Sequence, residues 1–553
     1  MAPDGSTGWW SANIAGSPPG TDYAFLLDGG EPLPDPRSPW QPAGPHETSR
    51  TVDHASFSWT DHGWQAPPLS SAVIYELHIG TFSPEGTFAG AQARLDHLVD
   101  LGVTHVELMP VQEFPGEWGW GYDGVDLYAP HHTYGCPDDL RRLVDACHAR
   151  GLAVLLDVVY NHLGPSGNYL SRFGPYFSNH YHTPWGEAVN LDEAGSGEVR
   201  RFLCGNALMW LRDYHFDGLR LDAVHQIYDA SARHFLEQMA AEVAELSAQS
   251  GRHLVVIAES DLNNPRLVTP REAGGYGLDA QWSDDFHHAL HGVLTGEHTG
   301  YYADFGKLAD VAKSLESNYV FDGRYSAFRR RDHGRPAGHL PGWRFIGCLQ
   351  NHDQVGNRAK GDRISAQAGI ARAKIGAALV FCSPFVPLLF QGEEFAASAP
   401  FQYFTQHHET ELKQAVSEGR KREFAPFGWN QEEIPDPQDP QTFYRCKLDW
   451  SEVARQPHAG MLEWYRGLIQ LRRSTPELCD GRLGGITVRF DEERAWLTMV
   501  RGRIVVAVNL GATAQSLPIP FAASLRLWSE SDPRILERAV HLAADSVAIL
   551  EGC

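Results

Sequence analysis

DDLRRLVDACHARG (138–151) followed by LAVLLDVVYNH (152–162) is the stretch that decides the fold. In the first string Leu140, Leu143, Val144 and Cys147 recur at the spacing of one helix face. The second is a continuous apolar run of strand length, the pattern of a strand buried on both sides. The same alternation repeats outward. Strand-like runs precede it at VIYELHIG (73–80) and VTHVELMPV (103–111), with a helix through Leu98 to Leu101 between them. Others follow at GLRLDAV (218–224), HLVVIAES (253–260), AQWSDDF (280–286), RFIGCLQNHD (344–353) and VPLLFQGEE (386–394). Eight such units predict a parallel sheet closed into a (β/α)8 TIM barrel. An open doubly wound sheet is the alternative, but the first run continues HIGTFSPEG, without the glycine-rich phosphate turn of that fold.

The 553 residues exceed what one core normally holds, so attachments to the barrel are expected. Residues 1–70 are rich in Pro and Gly, with short extended pieces at Tyr23 to Leu27 and Phe57 to Trp59. They predict a partial N-terminal β-sandwich, like a carbohydrate-binding module, short of its first strands. The barrel is expected over 71–478, with insertions at 163–196 and 395–459 and a closing helix from Met461 to Arg473. From 479 to 553 the period becomes two, in ITVRF, AWLTMV, RIVVAVNL, LRLWSE and SVAIL, predicting a C-terminal antiparallel β-domain.

Composition excludes several classes. Net charge is 46 − 69 = −23, which argues against a nucleic-acid partner. No apolar run is long enough to span a membrane, and MAPDGSTGWW has neither the basic nor the apolar region of a secretory signal, so a cytoplasmic protein is expected. The eight cysteines form no CxxC, and free buried thiols are expected over a disulfide framework. Sixteen Trp supply indole faces that pack on sugar rings, although most should serve the core.

In barrel enzymes the chemistry sits at the C-terminal strand ends. Here those ends read Asp157-Val158-Val159-Tyr160-Asn161-His162, Arg220-Leu221-Asp222-Ala223-Val224-His225, Glu259-Ser260-Asp261 and Asn351-His352-Asp353. One carboxylate could be a helix cap, but four independent strand ends converging on one mouth point to function. Cleaving a glycosidic bond needs two opposed carboxyl groups, one protonating the leaving oxygen and one attacking the anomeric carbon or activating water. Asp222 and Glu259 lie on neighbouring strands. Arg220, two residues before Asp222, points the same way and would keep it ionised, while Glu259 would need a raised pKa to stay protonated.

DVVYNH, GLRLDAVH, the Glu of IAES, and QNHD, in that order, resemble the four signature regions of the α-amylase family of glycoside hydrolases, over roughly residues 70 to 480. The resemblance implies Asp222 as nucleophile, Glu259 as general acid/base and Asp353 as the transition-state carboxylate. It implies His162, Arg220, His225 and His352 as sugar-holding residues and Tyr122 as a stacking platform. GYDGVDLYAPHHTYG (121–135), DVVYNHLGPSGNYL (157–170), DAQWSDDFHHALHG (279–292), QNHDQVGNRAKGDR (350–363) and GEEFAASAPFQYFTQHH (392–408) further resemble the trehalose-releasing branch of that family. That branch cuts the α-1,4 bond beside the terminal trehalose of maltooligosyltrehalose, and it pairs functionally with an enzyme that makes that substrate. A trehalose pocket would draw on Asp284, Asp285, His287, His288, Gln354, Asn357 and Arg358. No cofactor is expected, and no metal, since no DxDxDG loop is present. The alternatives are an α-1,4/1,6-glucan branching or debranching enzyme, which should lack the DAQWSDDFHHALHG segment, and a non-catalytic glucan-binding protein, which should lack a carboxylate.

Overall fold

The computed structural model describes residues 1–4, 9–424, 427, 429–530 and 532–552. Its centre is a closed parallel barrel. The strands are β1 (Ile74–Leu77), β2 (His105–Leu108), β3 (Ala153–Val158), β4 (Gly218–Leu221), β5 (Val255–Ala258), β6 (Ala280–Trp282), β7 (Phe345–Cys348) and β8 (Val386–Phe390). They are the eight runs read from the sequence, each a little shorter. Closure comes from β8 pairing with β1, Leu388 opposite Ile74.

Alternation along each strand separates two environments. Val73, Tyr75, Leu77, Val106, Leu108, Val154, Leu156, Leu219, Leu221 and Val256 join the large core under the helices. Ile74, Leu155, Ile257, Ile346 and Leu388 form a second cluster that fills the barrel interior. One step further along the same inward rows stand Glu76, Glu107, Asp157 and Arg220, all buried. The barrel is therefore plugged with hydrocarbon below and charged above.

The helix Pro137–His148 shows how the flanking units are set. Pro137 occupies its first turn, Asp139 accepts the Cys136 amide at 2.8 Å, and Leu140, Leu143, Val144 and Cys147 are buried. Of the insertions, the one after β3 holds a hairpin, Phe177–Thr183 with Gly186–Val189, that exposes Trp185 at its turn. The one after β8 holds the helix Thr410–Glu423.

The N-terminal region differs from a sandwich. Its described strands pair only two by two: Ala2–Asp4 with Trp9–Ser11, Asp22–Tyr23 with Ser49–Arg50, and Phe25–Leu26 with Pro32–Leu33. Phe57 to Trp59 is not a strand. It follows a 3-10 turn at His54–Ser56, and Trp59 stacks on His215 with ring centroids 3.7 Å apart. The segment crosses the outside of the barrel as a strap. Thr60 is held by Asp145 through its amide at 2.8 Å and its hydroxyl at 2.7 Å.

In the C-terminal region the five alternating segments form one antiparallel sheet, in the order 486–491, 496–501, 504–509, 546–552, 523–528. A second sheet of Gln515–Pro518, Arg534–Leu536 and Ala539–Leu542 covers it through Leu517, Val540 and Leu542. Cys136, Cys147, Cys204, Cys348, Cys382, Cys446 and Cys479 are free thiols, and Cys553 lies outside the described residues. Among the described residues no helix is long and apolar enough to cross a membrane.

Candidate active site

Arg220 is the hub of the barrel mouth. Its Nη1 donates to Asp157 Oδ1 and Oδ2 at 2.9 Å each and to Asp222 Oδ1 at 2.9 Å. Its Nη2 lies 3.3 Å from Glu259 Oε2. Its Cζ sits 4.2 Å from the centre of the Trp282 ring. Stacked on this indole, one planar cation touches the carboxylates at the ends of β3, β4 and β5.

Asp222 has a second anchor, Asn161 Nδ2, which donates to its Oδ2 and to its carbonyl, both at 2.8 Å. Directly after it Ala223 turns left-handed, at φ 38°. That strained turn points the Ala223 amide at Glu259 Oε2, 2.5 Å away. Asp222 and Glu259 are thus side by side at the barrel mouth.

Three carboxylates around one guanidinium cannot all ionise freely. Burial drives Asp157 up to about 6, against the pull of Arg220. Burial holds Glu259 well above the usual carboxylate range; Arg220 opposes this, and Asp222 and Asp353 reinforce it. The site thus favours the protonated form more strongly in Glu259 than in an ordinary carboxyl.

Asp353 follows β7 within the short helix His352–Gly356, capped by Asn351. It accepts from Asn357 Nδ2 at 3.1 Å and lies 3.5 Å from His352 Nε2. Its side chain is 34% exposed, against 11% for Asp222 and 14% for Glu259, so the cluster opens to solvent on its side. His352 is pushed up to about 9; burial opposes the proton, but the Glu76 carboxylate, hydrogen-bonded to Nδ1, outweighs it. Tyr122 stacks on His352 with centroids 5.1 Å apart, and its hydroxyl bridges Asp157 at 2.5 Å and His352 Nε2 at 2.8 Å. Gly121 makes this possible. It sits at φ 98°, and a Cβ there would lie 2.3 Å from the Pro110 carbonyl oxygen.

His162 is buried, hydrogen-bonded through Nδ1 to Asn161, and kept below its ordinary pKa by that burial. Its ring stacks at 4.5 Å on Trp185 from the insertion hairpin. His225 is half-buried, 3.9 Å from Asp261 Oδ1.

The outer residues divide. Asp284 faces the cluster: burial, then Asp261 and Asp353, raise it to about 7. Gln354 and Asn357 are half-buried beside Asp353. Asp285 is turned away. Its Oδ2 accepts the Val320 amide at 2.8 Å, the Phe321 amide at 2.7 Å and Asn263 Nδ2 at 2.7 Å, so it pins the helix Asp284–Thr295, which follows β6, to residues 320–321. His287 and His288 are buried against Tyr302, and the hydroxyl of Tyr302 meets His287 Nε2 at 3.2 Å and Gln354 Oε1 at 3.4 Å. Arg358 is engaged by Glu297 at 2.7 Å. All four are thus engaged by other side chains of the protein.

Glu76, Trp282 and Trp185 were missed. Glu76 and Trp282 sit inside strand runs where nothing local marks them as inward-facing polar partners. Trp185 gave a signal, an aromatic in a glycine- and proline-rich insertion, that only the hairpin turns toward His162.

The alpha-amylase catalytic domain family matches residues 52–183, and a domain of unknown function matches 481–549. The malto-oligosyltrehalose trehalohydrolase of Rhizobium sp. (strain M-11) is 51% identical over 548 residues, covering 98% of this chain and 91% of the relative. That of Mycobacterium tuberculosis (strain H37Rv) is 50% identical, covering 99% and 94%. A 1,4-alpha-glucan branching enzyme of Vibrio cholerae is 33% identical but covers only 51% and 44%. A crystal structure from Salmonella typhimurium superposes with a TM-score of 0.90 at 39% identity, covering 97% of this chain and 91% of that one. The pullulanase of Anoxybacillus sp. LM18-11, solved with maltotetraose, has a TM-score of 0.68 at 18% identity over 94% and 77%, a likeness of fold alone. With about half of its residues shared across nearly the full length of both sequences, and with three carboxylates gathered at the mouth of a closed barrel, the chain belongs to the malto-oligosyltrehalose trehalohydrolases, glycoside hydrolases with an alpha-amylase catalytic domain.

Proposed function

We propose that the chain hydrolyses the α-1,4 bond beside the terminal trehalose of maltooligosyltrehalose, with retention, releasing α,α-trehalose and a maltooligosaccharide. The observation that carries this reading is the paired environment of Asp222 and Glu259. Asp222 is hydrogen-bonded by the Arg220 guanidinium and Asn161, while burial raises Glu259 well above the usual carboxylate range. Asp222 attacks the anomeric carbon, and Glu259 gives its proton to the departing oxygen of trehalose. Glu259, now anionic, takes a proton from the water that breaks the glycosyl–Asp222 ester. Asp353 faces the positive charge that builds on the sugar ring. His352, Tyr122, Arg220 and His162 hold the ring at the cut, with His225 at the edge.

Within this reading trehalose contacts Asp284, Gln354 and Asn357. Asp285, His287, His288 and Arg358 support that wall from behind. Residues 1–70, 71–478 and 479–553 are its three domains. The substrate must come from an enzyme that converts the reducing end of a maltooligosaccharide into a trehalosyl end, and the free buried thiols suit a reducing cytoplasm.

The test is a product assay on maltooligosyltrehalose and, separately, maltopentaose, with sugars resolved by anion-exchange chromatography. Free trehalose from the first and little cleavage of the second is the expected result. Equal cutting of both would reduce the protein to a general α-glucanase, and new α-1,6 products would make it a branching enzyme.

A further inference from the structure

A second cluster of ligating side chains lies at the base of the loop that carries Tyr122. The segment Gln112–Glu113 pairs antiparallel with Asp126–Pro130, and residues 114–125 between them hold Trp118, Trp120 and Tyr122. Glu113 is the last residue before this loop. His131 and His132 come directly after the returning strand. Glu113 is fully buried, and its Oε1 meets His131 Nδ1 at 3.2 Å and His132 Nδ1 at 2.8 Å. Its Oε2 accepts the His132 amide at 2.8 Å. The donor atoms of the three side chains all lie within 4.8 Å of one another.

We propose that Glu113, His131 and His132 bind a borderline divalent cation such as zinc, which staples the two ends of the Tyr122 loop. Two imidazoles and one carboxylate are the ligand set such a cation prefers over a hard ion. Tetrahedral bonds of about 2.0–2.1 Å place neighbouring ligand atoms about 3.3 Å apart; the two carboxylate–imidazole spacings here are 3.2 and 2.8 Å. Both rings must present a bare Nδ1. For His131 the ring proton moves to Nε2, which is buried and makes no hydrogen bond that would be lost. The His132 side chain is 21% exposed, giving the ion a way in and water a place in the remaining position. The absence of a DxDxDG loop, which spoke against a metal, concerns oxygen-rich calcium sites and does not bear on a nitrogen-rich one.

The experiment is calorimetric titration of the chelator-stripped full chain with zinc chloride, repeated on His132→Gln and Glu113→Gln. His132→Gln keeps a side-chain N–H for Glu113 but removes the ligand, so loss of binding there is not loss of fold. One saturable equivalent in the wild type, weakened at least about tenfold in both variants, is expected. Zinc should also slow amide exchange in residues 114–125 of the wild type and not of His132→Gln. No saturable equivalent, or equal binding in all three proteins, would overturn the site and leave the three residues as a hydrogen-bonded bracket.

Discussion

Two buried ionic clusters sit on opposite sides of the same barrel wall, and they behave in opposite ways. At the mouth, the Arg220 guanidinium is shared among Asp157, Asp222 and Glu259, and burial pushes Asp157 and Glu259 upward. Under the N-terminal strap, Asp217 alone receives Trp64 Nε1, His148 Nε2 and the Val154 amide at 2.9 Å each, and Arg252 Nη2 at 3.0 Å. Asp61 joins through His148 at 2.9 Å and His215 at 2.7 Å. Burial opposes ionisation of Asp217 too, yet His148 and Arg252 hold it below its ordinary value. Asp157 and Asp217 are 1% and 2% exposed, so burial does not set the sign. The supply of cationic partners per carboxylate does: Asp217 has His148 and Arg252, while Arg220 is divided among three. A starved cluster keeps protons available for chemistry, and a saturated one fastens the strap.

The largest effect should come from the starved side. Asp222→Asn is expected to lower kcat by about 10⁴-fold or more, because it removes the proposed nucleophile. Glucan binding should be largely retained, and Tm should hold or rise, since one crowded charge is gone. Ordinary turnover in that variant would show that the nucleophile lies elsewhere. A large fall in Tm would show that the mouth is as well satisfied as the strap. Asp217→Ala is the mirror experiment. It strands His148 and Arg252 and should cost about 3–5 kcal/mol in denaturant unfolding, with kcat unchanged for the protein that remains folded. A loss below about 1 kcal/mol would mean that the strap network is ornamental.

Much of this was legible in the sequence, and the limits are instructive. The barrel could be read because a parallel strand covered on both faces is an uninterrupted apolar run, and eight of these alternate with helices. The carboxylates could be read because strand ends place Asp222, Glu259 and Asp353 in one mouth whatever the loops do. Asp285 could not, since its role is set by the amides of Val320 and Phe321, far along the chain. Phe57 to Trp59 has strand composition but no strand to pair with, and stacking on His215 decides its shape. The second C-terminal sheet escaped because its strands are short and mostly half-exposed, with little apolar signal.

The smallest effect is the shape of the pH–stability curve, and it separates the clusters most cleanly. Asp157, ordinarily at 3.8, titrates at about 6 in the fold. The folded state therefore holds an extra proton between those values, and stability grows as pH falls from above 6 toward 4. His148 is also raised above 6.5; burial opposes this, and Asp217 and Asp61 outweigh it. Its contribution is full below 6.5 and fades as pH rises through its folded value. Asp217 and Asp61 are lowered, so theirs is full above 3.8 and is lost as pH falls through their folded values. Acidification from pH 8 to 5 thus favours both clusters, and only the strap fails below about pH 4. The share of unfolding free energy that these groups carry, read as variant against wild type from about pH 3 to 9, has an alkaline limb above about pH 4 and an acid limb below it, each linked proton contributing about 1.4 kcal/mol per pH unit. Buried histidines such as His78, His105 and His288, lowered by burial, add a slope opposite to the alkaline limb in every variant alike. Asp157→Asn should flatten the alkaline limb and leave the acid limb. Asp217→Asn should flatten the acid limb and, by weakening the hold on His148, part of the alkaline one. If both variants changed the same limb equally, the two clusters would be one coupled network, and the supply of cationic partners would not distinguish the catalytic side of the wall from the structural one.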